Sequence, residues 1–251
     1  MIEVKNITKS FGDQLIVDHV STVFKEGKTN LIIGQSGSGK TVFMKCCIGL
    51  YDVDSGEIDF HGRQFSNIPD KKRKHIRQEM GVLFQGGALF DSLSVEENIM
   101  FPLNMFTNMS PKEKLERVNF VLENVNLAGT NNKYPSELSG GMIKRVAIAR
   151  AISLMPKYLF ADEPNSGLDP KTAERIDELL STLTKKFNMT TVINTHDMNS
   201  VLQIGEKISF INKGKICWEG TKETILKTDN KELNDFVFAT ELTRRIKERT
   251  F

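Results

Sequence analysis

The chain has 251 residues, 39% of them hydrophobic and 26% charged, and Lys+Arg at 34 against Asp+Glu at 32 leaves a formal charge of only +2. This is an ordinary globular composition, long enough for one domain with an inserted subdomain, and the small basic surplus argues against a dedicated nucleic-acid binder. No run approaches the ~20 apolar residues of a membrane span, so any membrane work is expected to pass through a partner. The polar start "MIEVKNITKS" does not read as a signal peptide, and Cys46, Cys47 and Cys217 lack metal-ligand spacing and fit a reducing compartment.

In chain order, "IEVKNITKSF" and "LIVDHVSTVF" flank the turn signal Gly12-Asp13 with strand character. "TNLIIG" then reads as a buried strand running into a glycine-rich loop, and "KTVFMKCCIGL" as the helix after it. A strand and turn in "EIDFHG" and a basic helix "KKRKHIR" after Pro69-Asp70 lead to the apolar strand "MGVLFQ". The basic helix is either a solvated face or a contact for an anionic lipid or other polyanion.

Between residues 88 and 152 the pattern turns helical. Ser94 with Glu97, and Ser110-Pro111 with Glu113, carry the capping-box signature. Leu115, Val118, Leu122 and Val125 predict one apolar side of the second of these helices. "SELSGGMIKRVAIARAI" closes the segment with a serine and two glycines opening a helix. "KYLFADEP" is again an apolar strand, ending in two acids, and Asp169-Pro170 caps a helix with Ile176, Leu179, Leu180 and Leu183 at helical spacing. "MTTVINTH" predicts another core strand and "KISFINKGKICWEG" a hairpin turning at residues 212 to 215. The tail predicts a helix with an apolar stripe of Phe236, Val237, Phe238, Leu242 and Ile246, to cover the core or reach a second copy.

The chemistry starts at Gly34, Gln35, Ser36, Gly37, Ser38, Gly39, Lys40 and Thr41, which satisfy GxxxxGK[ST] between a strand and a helix. Glycines let the backbone wrap phosphate oxygens, the free amides of the helix start face negative charge, Lys40 reaches the β and γ phosphates, and Thr41 offers a Mg²⁺ ligand. Asp162 and Glu163 at a strand end suit a metal's solvation shell and a water-activating base. Ser139, Gly140 and Gly141 form a second anion-binding geometry: a hydroxyl and unobstructed amides.

Together these motifs resemble the nucleotide-binding subunit of ABC transporters over nearly the whole chain, less specifically beyond residue 220. The resemblance implies an α/β fold: a P-loop NTPase core of the ABC ATPase type, with a β-rich edge and an inserted helical subdomain. It divides the chain into residues 1–87 (edge and first part of the core), 88–152 (helical signature subdomain), 153–225 (second part of the core) and 226–251 (helical tail). It implies ATP and Mg²⁺ as ligands, Thr41, Gln85 and Asp162 in metal roles, and Glu163, His196, Gln85 and Lys40 in catalytic ones. Phe11 falls where the family places an aromatic against adenine, and "SGLD" matches the D-loop. "LSGGM" is similar to the family signature LSGGQ except at its last position, and by that resemblance it covers a nucleotide held by the opposite copy of a homodimer.

A finer likeness lies in "FQGGALFDSLSVEENIMFPL" with "LSGGM". It is similar to ATPases of bacterial phospholipid or hydrophobic-compound transport systems that work with an integral membrane permease and an mce-domain lipid-binding protein. That implies a place on the cytoplasmic face of the inner membrane, with Leu89, Phe90, Ile99, Met100 and Phe101 supplying part of a permease-docking surface. Alternatives are the ATPase of another importer or exporter, and an ATP-regulated structural or force-transmitting subunit of an envelope complex.

Overall fold

The strand β3 (Thr29–Ile33) is buried along its whole length, as an uninterrupted Leu-Ile-Ile run demands when both faces of a sheet are covered. A computed structural model describes residues 1–238. It opens with β1 (Ile2–Phe11) and β2 (Gln14–Phe24), an antiparallel pair that joins β4 (Ser55–Phe60) and β5 (Arg63–Gln64) in a four-stranded sheet ordered β2-β1-β4-β5. The second sheet has six strands. Its members are β3, β6 (Met80–Leu83), β7 (Tyr158–Asp162), β8 (Thr190–Thr195), β9 (Lys207–Asn212) and β10 (Lys215–Gly220), in the order β10-β9-β3-β8-β7-β6. All pairings are parallel except the β9–β10 hairpin.

Side-chain alternation sorts the core between the two faces of this sheet. Leu31, Ile33, Leu159, Ala161, Ile193 and Phe210 join the helical side. Ile32, Phe160, Val192 and Ile211 join Phe24, Phe43 and Phe60 against the four-stranded sheet and α1 (Lys40–Cys47). Each fully buried Leu, Ile or Val contributes ~1.5–3 kcal/mol relative to exposure.

Helix α2 (Asp70–Gln78) carries the basic segment. Its cations divide: Arg73 is buried against Asp52 and Arg77 pairs with Asp70, while Lys71, Lys72, Lys74 and His75 are exposed. Residues 88–152 hold α3 (Val95–Phe106), α4 (Pro111–Asn124), a 3-10 turn at Pro135–Glu137 and α5 (Gly140–Ile152). Both capping boxes form. Ser94 accepts from the Glu97 amide at 3.2 Å while Glu97 accepts from the Ser94 amide at 2.7 Å, and Ser110 with Glu113 does the same. Val118, Leu122 and Val125 are fully buried, but Leu115 is 39% exposed. It lies one turn before Val118, and its helical spacing with the others did not bring it into the core.

After β7 comes α6 (Pro170–Lys186), whose cap Asp169 accepts from the Thr172 amide at 3.1 Å, and whose Ile176, Leu179, Leu180 and Leu183 are buried. Helix α7 (Met198–Ile204) follows β8, and α8 (Lys222–Ile225) and α9 (Lys231–Val237) follow the hairpin. The described part of the tail stripe packs within the chain: Val237 and Phe238 are buried, and the Phe236 ring lies 5.5 Å from that of Phe210. Leu242 and Ile246 lie outside the described residues.

Candidate nucleotide site

Because β3, β6, β7 and β8 run parallel, their carboxyl ends open on one edge of the sheet, the place where α/β folds present ligand-binding groups. Register sets the details: Ile33 pairs with Thr195, Asp162 with Asn194, and Leu83 with Ala161. The next residues on these strands are Gly34, Glu163, His196 and, one further, Gln85. Segments distant in sequence therefore meet without any long side chain having to bridge them.

The loop from Gly34 to Gly39 leads straight into α1. A Cβ on Gly34, at φ 151°, would lie 2.2 Å from the Ile211 carbonyl oxygen, so only glycine allows the loop to leave β3 beside β9. Gln35, Ser36 and Gly37 are exposed along the loop, whereas Ser38 and Lys40 are buried. Lys40 Nζ donates to the carbonyls of Gly34 at 2.8 Å and Gln35 at 2.9 Å. Burial pushes its ammonium pKa down, and the carboxylates of Glu163 and Asp162 pull it back up. Ser38 Oγ is buried without a hydrogen-bond partner. A loop with a buried cation, an unsatisfied hydroxyl and a helix start fits a phosphate chain.

Thr41 Oγ1 donates to Asp162 Oδ1 at 3.3 Å, and Asn194 Nδ2 donates to the same oxygen at 2.9 Å. Two hard oxygen donors beside the phosphate loop also fit Mg²⁺. Glu163 has a left-handed backbone, φ 46°, with its amide bonded to the Asn194 carbonyl at 3.0 Å; such a conformation in a non-glycine residue costs ~1–3 kcal/mol and recurs at functional sites. Its carboxylate meets His196 Nδ1 at 2.9 Å on one oxygen and Gln85 Nε2 at 3.4 Å on the other. Gln85 Nε2 also donates to Ser166 Oγ at 3.1 Å.

Lys40, Thr41, Gln85, Asp162, Glu163 and His196 thus converge. Ser139, Gly140 and Gly141 do not. Ser139 caps α5, accepting from the Met142 amide at 3.4 Å, and is exposed. Gly140 lies by the D-loop and Gly141 by the start of α6: a Cβ would approach Leu168 Cδ2 to 3.5 Å and Thr172 Cγ2 to 2.7 Å, respectively. Phe11, at the end of β1, is 45% exposed and stands edge-on to Tyr51 at 5.2 Å.

Four positions were missed in the sequence. Asn194 orients Asp162, and its signal was a polar residue inside an apolar strand. Lys144 and Arg150 of α5 donate to the backbone carbonyls of Gln85 and of Gly87 and Ala88, pinning the loop after β6 to the signature helix. Asn165 lies buried behind Glu163. The proposed docking surface also needs correction: Ile99 is fully buried in the core, because its face of α3 turns inward. Phe90 and Phe101 are about two-fifths exposed with rings 4.9 Å apart, while Leu89 and Met100 pack partly against the core.

A phosphate loop leading off a parallel sheet, with carboxylates at the neighbouring strand end, defines a P-loop nucleoside triphosphatase. The model of the ABC transporter family matches residues 17–166, and the chain belongs to that family. It is 36% identical to the methionine import ATP-binding protein MetN of Campylobacter jejuni, over 94% of this chain and 75% of that protein. It is 37% identical to the intermembrane phospholipid transport system ATP-binding protein MlaF of Haemophilus influenzae, over 94% of this chain and 90% of that protein. Two solved dimers of the bacterial ABC transporter cassette MJ0796, one in a post-hydrolysis state bound to ADP and phosphate, match with TM-scores of 0.80 and 0.79 at 33% identity, over 88% of this chain and 99% of theirs. The fold is that of the ABC ATPase cassettes, and the chain is an ATP-binding, ATP-hydrolysing subunit of that transporter class. Among the described residues no helix is long and apolar enough to cross a membrane.

Proposed function

We propose that two copies of this chain close head to tail over two ATP molecules and that hydrolysis reopens them to drive a membrane permease. The observation that carries this reading is the separation within the fold: one complete set of phosphate-facing groups around Lys40 and Glu163, and a second anion-binding helix start at Ser139 that stands apart on the surface. A half-site of this kind is completed by a second copy, as the dimeric form of the MJ0796 cassette supports.

In each half, Lys40 and the amides of residues 37 to 41 hold the phosphate chain, and Phe11 packs against the base. Thr41 and Asp162, with Gln85, would hold Mg²⁺, which neutralises charge on the phosphate oxygens. Glu163 takes the proton of the attacking water. His196 and Gln85 each contact one oxygen of its carboxylate and so fix its orientation. Ser139, Gly140 and Gly141 reach the γ phosphate bound to the other copy.

The permease docks against residues 86 to 105, where Phe90, Phe101 and Met105 are exposed and which follow Gln85 directly in the chain. That places the chain peripherally on the cytoplasmic face of the inner membrane. Relatives named for methionine import and for phospholipid transport match at 36% and 37% identity, so the ATP site does not choose the cargo. The segment from residue 84 to 103, together with Met142, favours phospholipids or other hydrophobic compounds and an mce-domain partner.

The dimer is tested by light scattering of Glu163→Gln with and without ATP, a change that leaves the phosphate loop intact. A rise to twice the monomer mass with ATP supports the reading, and a mass indifferent to ATP overturns it. The cargo is tested by purifying the native membrane complex and identifying its subunits and bound lipid. A complex with an amino-acid-binding protein and no lipid rules out the phospholipid reading.

A further inference from the structure

Next to the pair formed by Glu163 and His196 in the chain lies a buried polar knot. Asn165, 8% exposed, donates through Nδ2 to Asp177 Oδ2 of α6 at 3.2 Å and to Ser200 Oγ of α7 at 2.8 Å. Ser200 Oγ lies 3.5 Å from Asp197 Oδ2, and Asp197 is the residue after His196 and the cap of α7. Asp177 is 2% exposed, and its Oδ1 has no hydrogen-bond partner.

We infer that Asp177 is a positioning residue for hydrolysis, tying the loop that carries Glu163 to the turn that carries His196. The inference rests on the roles proposed above for those two side chains. The geometry supplies the reason. Asn165 is two residues beyond Glu163 and one before Ser166, which receives the Gln85 amide, so its position fixes how the loop leaves β7. Ser200 lies in the first turn of α7, and the start of that helix fixes His196. Asp177 of α6 accepts from the same Asn165 amide nitrogen that donates to Ser200, so it holds the residue through which the two segments are joined.

Simple packing would need no carboxyl here. A buried carboxylic acid with one unpartnered oxygen is costly, and a leucine of the same branched shape, though larger, would carry no such polar cost. Burial holds the Asp177 carboxyl up at about 6, opposed by the neighbouring Ser200 hydroxyl and the Asn165 amide and assisted by the nearby Asp197 carboxylate. Asp197 is the charged group facing it from α7.

The test compares Asp177→Leu, Asp177→Asn and Ser200→Ala with the parent by steady-state ATPase assay, each as the full chain in the complex with which it copurifies. Asp177→Leu is expected to lower kcat about tenfold with KM for ATP unchanged and no fall in melting temperature. Asp177→Asn, which keeps an acceptor oxygen for Asn165, is expected to stay within about twofold of the parent. Ser200→Ala cuts the same knot without adding an apolar side chain and is expected to fall in the same sense as Asp177→Leu, which keeps the question open to test if the leucine variant fails to fold. A leucine variant with kcat within twofold of the parent overturns the inference, as does a loss equally large in the asparagine variant. Glu163→Gln runs in parallel. If it retains full turnover, the reading of the site fails, and the inference with it; if it loses turnover while the Asp177 and Ser200 variants do not, the inference alone fails.

Discussion

His196 Nδ1 sits 2.9 Å from Glu163 Oε1, a contact between the end of β8 and the end of β7 that joins the exposed imidazole to the acid of the site. A carboxylate only accepts, so the contact places an imidazole proton on Nδ1. Replacing the histidine removes one of the two groups that hold the carboxylate. His196→Ala is expected to lower kcat by about 10²-fold or more, within the range general-base catalysis supplies. Because the side chain is largely exposed, the melting temperature should stay put. An assay showing near-parental turnover would remove His196 from the mechanism.

Lys144 predicts a different kind of effect. Its ammonium is buried on α5 and donates to the Gln85 carbonyl, and burial lowers its pKa while Glu163 raises it. Lys144→Met keeps the aliphatic stem and removes the donor, leaving that carbonyl to solvent or to no partner. Hydrogen bonds to charged groups contribute ~1.5–3 kcal/mol, so urea denaturation should show a loss of that order or, where water replaces the ammonium, somewhat less. ATPase activity should fall too, since the loop bearing Gln85 loses its tie to the signature helix. Unchanged activity with lowered stability would confine Lys144 to a structural part.

How much of this was legible in the sequence depends on how local the signal is. The phosphate loop, the strand ends at Asp162 and His196 and both capping boxes are written in contiguous residues, and their local geometry needs no distant partner. Lys144, Asn165 and Asn194 act across the fold. Each looked like an unremarkable polar residue until parallel register and helix packing brought its partner within 3.2 Å or less. The segment "NIMFPLNMF" was harder still. Apolar residues surround α3 on all sides, so spacing could not tell the buried Ile99 from the exposed Phe101.

The Ser94 cap of α3 offers a stability prediction free of catalysis. Its hydroxyl accepts the Glu97 amide and its own amide donates to Glu97, and the helix start is one of the places where residues 88–152 join the loop at Asn131 and Lys133. Ser94→Ala should cost about 1 kcal/mol. Urea unfolding is expected to show a lower midpoint with an unchanged m-value. A change in m would mean that the substitution altered the extent of folding instead of a single cap.

Asp177 also makes a prediction for pH. Its carboxyl is held at about 6 in the folded chain, above the ~3.9 of an unfolded aspartate. Between those two values the folded chain binds more protons than the unfolded one, so the group's contribution to stability is fullest at low pH and is lost as pH rises through about 6. A shift of roughly two pH units corresponds to at most about 3 kcal/mol. Asp177→Asn cannot ionise and escapes that loss. Its stability relative to the parent should therefore increase between pH 4 and pH 7 and level off above, as measured by chemical denaturation at a series of pH values. A difference that stays flat across that window would show that Asp177 titrates like an exposed acid, and that its burial among Asn165, Ser200 and Asp197 does not hold in solution.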